Sequence, residues 1–322
     1  MPLGVDRAVA AIHTHVDSVR TSFGTFHSVE PVGRPVWRPF RRLSRVDESR
    51  LVLPVAGVVS RVDPLMSRAH AQRMRAWLRA DYEAIRDEAP GLLDLPGSID
   101  LTASNLAGLT YDTGHYYAFV PDTAIGERLG AMVFLHGHAG NFRMLIWRWR
   151  SLAVRARLAI LAPSCGFGFW GRNSAKIVTR ALADACRLWP VIDPGEGLWL
   201  CGLSAGGSGT IRAARSAAWH GLIFVSATMR PDLIDEACSG TSGAMPDALV
   251  FNGLKDHNVS PSSVNRGVRS LIDRGVDVER FVYDEEDHFL VFAQAADLDS
   301  RMIDWMSRHR EASERPKDSV DS

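Results

Sequence analysis

Short apolar runs alternate with longer amphipathic segments from about residue 98 to residue 310 of this chain. The apolar runs are His115–Val120, Ala131–Leu135, Leu158–Leu161, Leu198–Leu203, Leu222–Val225, Ala248–Phe251 and Val278–Tyr283. The amphipathic segments are Phe142–Ala156, Ala175–Leu188, Gly207–Trp219, Ser262–Arg274 and Leu290–Arg310. Continuous apolar strands separated by helices are typical of parallel strands that are covered on both faces. The pattern therefore predicts an α/β fold, with a mostly parallel central sheet flanked by helices on both faces.

The first part of the chain has a different pattern. Three prolines lie close together between residues 31 and 39, which disfavours a helix, so we expect residues 1 to about 60 to be irregular. Apolar residues then recur at helical spacing, which predicts a helix over residues 63–88 with Asp63 as its N-cap. The predicted parts are an N-terminal extension over residues 1–97, a larger domain over residues 98–310 and a disordered polar tail over residues 311–322.

The charge of the chain is balanced, with 37 basic and 37 acidic side chains. A net charge of zero argues against a nucleic acid or an anionic membrane as a partner that is attracted by bulk charge. The basic segment from Arg34 to Arg45 is a local exception, which we interpret as a solvated face rather than a binding patch. No apolar run is long enough to span a membrane.

The four cysteines argue against a zinc knuckle or a redox pair, because none stands at CxxC spacing. They are Cys165, Cys186, Cys201 and Cys238. The N-terminus lacks the basic start and long apolar stretch of a signal peptide. These features predict a cytoplasmic protein with reduced thiols.

The most specific chemical pattern is Gly202-Leu203-Ser204-Ala205-Gly206, a G-x-S-x-G sequence. It follows the apolar run Leu198–Cys201 and precedes a predicted helix, which is the strand–turn–helix setting of a nucleophile elbow. Such a turn strains the serine backbone and leaves no room for a side chain at Gly202 or Gly206. The alternative is a glycine-rich turn that binds phosphate, but neither GK[ST] nor G-x-G-x-x-G spacing is present. We therefore predict that Ser204 is a nucleophile.

A second pattern runs from the apolar strand that ends at Leu135 through His136-Gly137-His138 into a loop of small residues. Acyl transfer needs two backbone N–H groups that point at the oxyanion of the tetrahedral intermediate. We predict that His138 and Ala205 provide these two groups. A metal pair formed by His136 and His138 is the alternative, disfavoured because no third ligand is nearby. No metal site is therefore predicted.

A serine hydroxyl needs a general base that is held by an acid. In this architecture the chain order is serine, acid and then histidine. His288 follows a predicted strand and precedes the last helix, so it is the predicted base. Asp256 ends the preceding strand and is the predicted acid, with Asp232 and Asp235 as fallback acids one strand earlier.

Other residues near the predicted base have simpler interpretations. The remaining downstream histidines are less well placed, because they follow a helix, adjoin the acid or lie late in the last helix: His220, His257 and His309. The acidic residues 284–287 are interpreted as a solvated loop. They would raise the pKa of His288 if they lay close to its ring.

These patterns together resemble the alpha/beta-hydrolase superfamily. The match consists of GLSAGG for the elbow, FLHGHAGN for the oxyanion loop, NGLKD for the acid and DEEDHFL for the base. It covers about residues 110 to 310, in the order of the family, and looks most like the branch of dienelactone hydrolases, esterases and prolyl-oligopeptidase-like peptidases. The resemblance implies that residues 98–310 form a catalytic domain. Only the stretch from Thr228 to Pro246 stands where many relatives carry a cap domain, so a large cap is not expected there.

The resemblance and the ordered triad predict a serine hydrolase that cleaves a carboxylic ester of a small molecule through an acyl-enzyme, with no cofactor. A thioesterase, an acyltransferase or a peptidase with the same triad is the alternative, and a hydrolase-like binding module is a further one. Phe169, Trp170 and Met229 are the candidate substrate contacts, with core packing as the competing interpretation. The first hundred residues match no known pattern, and the sequence leaves open whether they cover the site as a lid or dock elsewhere.

Overall fold

The computed structural model describes residues 14–31, 40–62, 67–109, 114–239 and 245–314. The strands are β1 Thr14–Arg20, β2 Gly24–Pro31, β3 Tyr116–Pro121, β4 Gly130–Leu135, β5 Leu158–Pro163, β6 Leu198–Leu203, β7 Gly221–Val225, β8 Ala248–Gly253 and β9 Val278–Tyr283. The helices are α1 Ser49–Val62, α2 Arg68–Glu88, α3 Ile99–Leu106, α4 Arg143–Arg148, α5 Arg150–Ala156, α6 Ser174–Leu188, α7 Gly206–Ala213, α8 Pro231–Cys238, α9 Pro261–Ile272, α10 Leu290–Ala293 and α11 Ala295–Glu314.

The nine strands form one sheet in the order β1-β2-β3-β5-β4-β6-β7-β8-β9. Six neighbouring strands pair in parallel: β5, β4, β6, β7, β8 and β9. At the other side of the sheet, β1 pairs with β2, β2 with β3, and β3 with β5, all antiparallel. The predicted α/β fold with a mostly parallel sheet is therefore confirmed. All seven predicted strands are present.

Both faces of the sheet are covered, as the continuous apolar strands require. Along β4, Val133 and Leu135 pack with α6, α7 and α9, whereas Met132 and Phe134 pack on the opposite face with α2, α5 and α11. Successive side chains of a strand point to opposite faces, so a strand that is buried on both faces has no polar position. This geometry places the carboxyl ends of β4, β6, β8 and β9 along one edge of the sheet.

The prediction that residues 1 to about 60 are irregular is wrong where the structure describes them. β1 and β2 form a hairpin that extends the sheet beyond β3, because Phe26 and Val29 are buried against the two core clusters. Pro31 ends β2, and Pro54 lies inside α1 without ending it. The proline cluster therefore misled the prediction, although residues 32–39 lie outside the described residues.

The ends of several predicted helices also differ. The helix predicted over residues 63–88 begins at Arg68, where the Ser67 hydroxyl accepts a hydrogen bond from the His70 N–H, and the predicted cap Asp63 lies outside the described residues. α7 ends at Ala213 rather than continuing to residue 219, and the last segment divides into α10 and α11 at Gln294. α11 continues to Glu314, so the tail predicted as disordered is helical over residues 311–314. Within the described ranges, no helix has both the length and the apolar character needed to cross a bilayer.

Candidate active site

Ser204 lies on a tight turn between β6 and α7 and has a left-handed backbone, with a φ of 53°. Only small residues fit around it, because a Cβ on Gly206 would lie 2.1 Å from the Leu135 carbonyl oxygen and one on Gly202 would lie 2.4 Å from Thr210 Oγ1. The Ser204 N–H donates to the Val225 carbonyl at 3.1 Å, and its own carbonyl accepts from Thr228 at 2.9 Å. The turn therefore holds the hydroxyl outside the carboxyl end of the strand in a fixed direction.

A continuous hydrogen-bonded chain joins the three residues that the sequence selected. His288 Nε2 lies 2.9 Å from Ser204 Oγ, and His288 Nδ1 lies 2.9 Å from Asp256 Oδ2. Asp256 is 2% exposed, and its second oxygen accepts the backbone N–H groups of Asn258 and Val259 at 2.9 and 2.8 Å. The two amides hold the carboxylate in place, so that Oδ2 can accept a hydrogen bond from His288 Nδ1. Asp232 and Asp235, the fallback acids, instead pair with Arg230 and Arg274.

The loop after β4 is held by His136, which sequence analysis treated only as a member of a metal pair. His136 is fully buried, and its Nε2 accepts the Cys165 N–H at 3.1 Å. Nδ1 therefore carries the proton and donates to the Gly137 carbonyl at 2.7 Å. Burial lowers the pKa of His136 to about 4, so the ring is neutral at neutral pH. Among the described residues, no group of three or more histidine, cysteine or acidic side chains is arranged to hold a metal.

The two predicted oxyanion donors lie at the edge of the same pocket as Ser204. Within the described residues, the backbone N–H groups of His138 and Ala205 donate to no protein acceptor. Ala205 lies at the N-terminus of α7, and Ala139 and Gly140 continue the other loop in left-handed conformations. Two unused amides beside a serine hydroxyl are the arrangement that binds an oxyanion.

A pocket of about 570 Å³ opens in front of Ser204. Its walls are largely apolar, and none of the described residues that line it carries a carboxylate, ammonium or guanidinium group. The apolar lining residues are Phe142, Leu145, Leu203, Val259, Phe289, Val291 and Phe292. Such a wall favours an uncharged, apolar group next to the nucleophile.

Solved structures share this architecture at low sequence identity. The fluorophosphonate-binding serine hydrolase F of Staphylococcus aureus is 15% identical over 60% of this chain and 91% of its own, with a TM-score of 0.51. Esterase B of Lactobacillus rhamnosis is 12% identical over 62% of this chain and 82% of its own, also with a TM-score of 0.51. The chain has the alpha/beta-hydrolase fold. The match to the acylaminoacyl peptidase of Pyrococcus horikoshii, 13% identical with a TM-score of 0.47, covers 64% of this chain and 41% of that longer one. No protein-family model matches the sequence, and no curated protein does.

Two of the three candidate substrate contacts lie in the core instead. Trp170 is buried, and its Nε1–H donates to the His136 carbonyl at 2.8 Å. It therefore supports the loop that carries His136 and His138. Met229 is fully buried and packs against Gly267 of α9. Phe169 is exposed and makes tilted ring contacts with Phe167 and His138 beside the pocket rather than inside it. The apolar lining comes mainly from α4 and α10 and the residues directly before them.

His138 has a second property that concerns the base. Burial, and to a lesser extent the nearby His288, lower the pKa of the His138 side chain below its usual range. A neutral His138 adds no positive charge beside His288 when His288 accepts a proton. Of the two histidines that line the pocket among the described residues, His288 is the one within hydrogen-bond distance of Ser204 Oγ.

The acidic loop before His288 is only partly solvated, contrary to prediction. Asp284 and Glu285 are exposed, but Glu286 and Asp287 are buried. The Glu286 carbonyl accepts the Lys255 N–H, and a Cβ on Gly253 would lie 2.1 Å from that carbonyl oxygen. The loop therefore packs against the loop that carries Asp256.

Residues at the start of the predicted larger domain contact the loops beside this site without lining its pocket, as far as the described residues show. The Asn105 Oδ1 of α3 accepts from Phe167, and the Ser98 hydroxyl donates to the Asn141 carbonyl at 2.6 Å. Thr102 donates to the Gly166 carbonyl at 3.2 Å. The segment 98–105 therefore supports the loops beside the site, and no described residue of the predicted extension lines the pocket.

Proposed function

We propose that this protein is a serine hydrolase that cleaves a carboxylic ester through an acyl-enzyme. The observation that carries the proposal is the hydrogen-bonded chain from Ser204 through His288 to Asp256, beside two backbone amides that have no acceptor among the described residues. The alpha/beta-hydrolase fold supports it by placing such residues at the carboxyl ends of parallel strands.

The geometry allows each step to be assigned to a group. Ser204 Oγ attacks the carbonyl carbon of the ester while His288 Nε2 accepts its proton, and the N–H groups of His138 and Ala205 bind the oxyanion. His288 then gives the proton to the departing alcohol, which leaves the acyl group on Ser204. A water molecule then attacks the acyl carbon while His288 accepts its proton; His288 returns that proton to Ser204 Oγ as the bond between Oγ and the acyl carbon breaks, and the acid is released. Asp256 keeps His288 in the tautomer whose Nε2 is free to accept, and it stabilises the imidazolium.

The pocket supports an uncharged acyl or alcohol group as the part of the substrate that enters it. Charged substrates would lose hydration against Leu145, Val291 and Phe292 without gaining an ionic partner among the described lining residues. A small-molecule ester with an apolar acyl chain fits this wall. A series of p-nitrophenyl esters from acetyl to decanoyl would locate the chain length that gives the highest kcat/KM.

Labelling with a fluorophosphonate probe tests the nucleophile directly. We expect the folded wild-type protein to be labelled on Ser204, and the Ser204→Ala variant to be neither labelled nor active. Absence of labelling in a folded wild-type protein would favour a hydrolase-like binding module instead. Near-normal ester turnover by Ser204→Ala would exclude the proposed role of Ser204.

Matched ester, thioester and amide substrates with one acyl group test the bond that is cleaved. The ester should give the highest kcat/KM if the proposal is right. A preference for the thioester or the amide would assign the same three residues to a thioesterase or a peptidase. Transfer to an added alcohol in place of water would indicate an acyltransferase.

We also propose a cytoplasmic location. None of the four cysteines is in a disulfide, and reduced thiols are typical of a reducing compartment. Fractionation of cells that express the tagged protein would test this assignment.

A further inference from the structure

The carboxylate of Asp287, directly before His288, is bound on both of its oxygens. Oδ1 accepts the backbone N–H of Phe289 at 2.8 Å, and Oδ2 lies 2.9 Å from Nδ1 of His70. The Asp287 side chain is 11% exposed and that of His70 is 20% exposed. One carboxylate thus fixes the backbone immediately before and after His288.

His70 belongs to the first turn of α2, in the N-terminal extension, and is itself held there. Its backbone N–H donates to the Ser67 hydroxyl at 3.2 Å, which caps the helix. Because the helix start is capped, the ring projects from a defined position. The ion pair therefore connects a regular element of the extension to the loop that carries His288.

A second connection between α2 and the same segment lies further along the helix. Asp81 accepts two hydrogen bonds from Arg148 Nη1, at 2.8 and 2.9 Å. Arg148 also donates to the carbonyls of Val291 and Phe292, at 3.1 and 2.9 Å. α2 is thus connected to both ends of the segment 287–292. His70 contacts Asp287 directly, and Asp81 is connected to Val291 and Phe292 through Arg148.

The other side of the His288 loop is held by the loop that carries the acid. The Leu254 N–H donates to the Tyr283 carbonyl, and the Lys255 N–H donates to the Glu286 carbonyl, each at 2.9 Å. Asp256 fixes the orientation of the His288 ring, but it does not fix the backbone from which the ring projects. That backbone is held between the acid loop and α2.

We propose that His70 is a positioning residue for His288, so that α2 is a functional part of the active site. The inference rests on the proposed function. Without His70, the buried Asp287 Oδ2 loses its hydrogen-bonding partner and its loop is free to shift toward solvent. The 2.9 Å contact between His288 Nε2 and Ser204 Oγ would then lengthen, and proton transfer would slow.

Four variants test this role: His70→Leu, His70→Asn, Asp287→Asn and the double variant His70→Leu/Asp287→Asn. Leucine removes the donor, whereas the Asn Nδ2 stands near the position of His Nδ1 and keeps it. Asp287→Asn keeps an oxygen for Phe289 and weakens the contact with His70. The measurements are kcat and KM on p-nitrophenyl butyrate, the rate of fluorophosphonate labelling and the midpoint of thermal unfolding.

We expect His70→Leu to lower kcat and the labelling rate about ten-fold with KM unchanged, because a shift of about 1 Å caused from outside the chemistry can cost about 100-fold. His70→Asn should recover most of this loss. The double variant should be no slower than the slower single variant, since both changes break one contact. The control is His15→Leu, which removes a more exposed histidine–aspartate contact of 3.1 Å with Asp17 on β1 and should leave kcat unchanged.

Three results would overturn the inference: an unchanged kcat in His70→Leu, an equal loss in His70→Leu and His70→Asn, or additive losses in the double variant. If His70→Leu does not fold, Asp287→Asn and His70→Asn decide the question by the same comparison. Wild-type labelling separates this inference from the proposed function. A wild-type protein that is labelled on Ser204 while His70→Leu is labelled equally fast rejects only the positioning role, whereas an unlabelled wild type rejects both.

Discussion

Glu48 and Arg143 form an ion pair that is almost completely buried, with 3.2 Å between Glu48 Oε2 and Arg143 Nε. Glu48 also accepts the backbone N–H groups of Arg143 and Met144, both at 2.8 Å, at the start of α4. Arg143 in turn donates to the carbonyls of Val46, Leu93 and Leu95. α4 directly follows the predicted oxyanion loop, so this network joins the N-terminal extension to the loop that contains His138.

Removal of Glu48 should be strongly destabilising. Glu48→Ala leaves the Arg143 guanidinium buried without its charged partner, and we expect the free energy of unfolding to fall by about 3–5 kcal/mol. Urea unfolding measures the change. The control is Asp122→Ala, which removes an exposed pair with Arg20 and should cost less than about 1 kcal/mol. A similar small loss in both variants would mean that the buried network does not stabilise the extension.

The left-handed backbone of Ser204 predicts a difference between two inactive variants. Ser204→Gly and Ser204→Ala both remove the hydroxyl, but only glycine adopts a φ of 53° without steric cost. We expect Ser204→Gly to be more stable than Ser204→Ala by about 1 kcal/mol. Thermal unfolding of the two proteins checks this, and equal stabilities would show that the turn carries no such strain.

Alanine should have opposite effects on stability at two glycines, Gly206 beside the Ser204 turn and Gly57 in α1. A Cβ on Gly206 would lie 2.1 Å from the Leu135 carbonyl oxygen, so Gly206→Ala must displace backbone and should cost about 1–3 kcal/mol. Gly57 lies inside α1 with no described atom within 4 Å of an added Cβ. Gly57→Ala should therefore stabilise the protein by about 0.5–1 kcal/mol. Chemical unfolding of both variants is the measurement, and a tolerated Gly206→Ala would contradict the packing described for the elbow.

Asp256→Asn should separate catalysis from structure. The amide keeps an oxygen for the N–H groups of Asn258 and Val259, so we expect the fold to be retained. It no longer favours the His288 tautomer that accepts from Ser204, and kcat should fall by about 10⁴. Ester turnover and near-ultraviolet circular dichroism test the two parts. Asp232→Asn, which affects only an exposed pair with Arg230, should leave kcat unchanged.

The elements that sequence analysis predicted best are those with one strong local signal. Each buried parallel strand is a continuous apolar run, and the turn at Ser204 tolerates only small residues at Gly202 and Gly206. The proximity of Ser204, Asp256 and His288 followed from the order of strand ends, because the sheet brings those ends to one edge. The catalytic roles of these residues remain predictions that the variants above test.

Sequence analysis failed where a residue is defined by long-range contacts. Trp170 was considered for the pocket, yet its Nε1–H is satisfied by the His136 carbonyl, a partner far away in sequence. Phe26 and Val29 looked irregular because their burial depends on β3 and on both core clusters. His70 carried little signal, since its contact with Asp287 joins two distant segments. A polar residue on the buried side of an amphipathic helix was the one available hint.

The buried His136 predicts how stability depends on pH. Its pKa is lowered to about 4 in the folded protein, whereas an exposed histidine titrates near pH 6.5, so between these values the unfolded chain binds a proton that the native protein does not. Stability should therefore fall as the pH is lowered from about 6.5 to about 4, by about 3 kcal/mol from this residue. His27, whose pKa burial also lowers to about 4, acts in the same window. The free energy of unfolding, measured with urea across this pH range, should depend on pH less steeply in His136→Asn than in the wild type, by the equivalent of about one proton. Because acidic side chains titrate identically in both proteins, the difference in slope isolates His136, and parallel slopes would mean that it is protonated in the folded state.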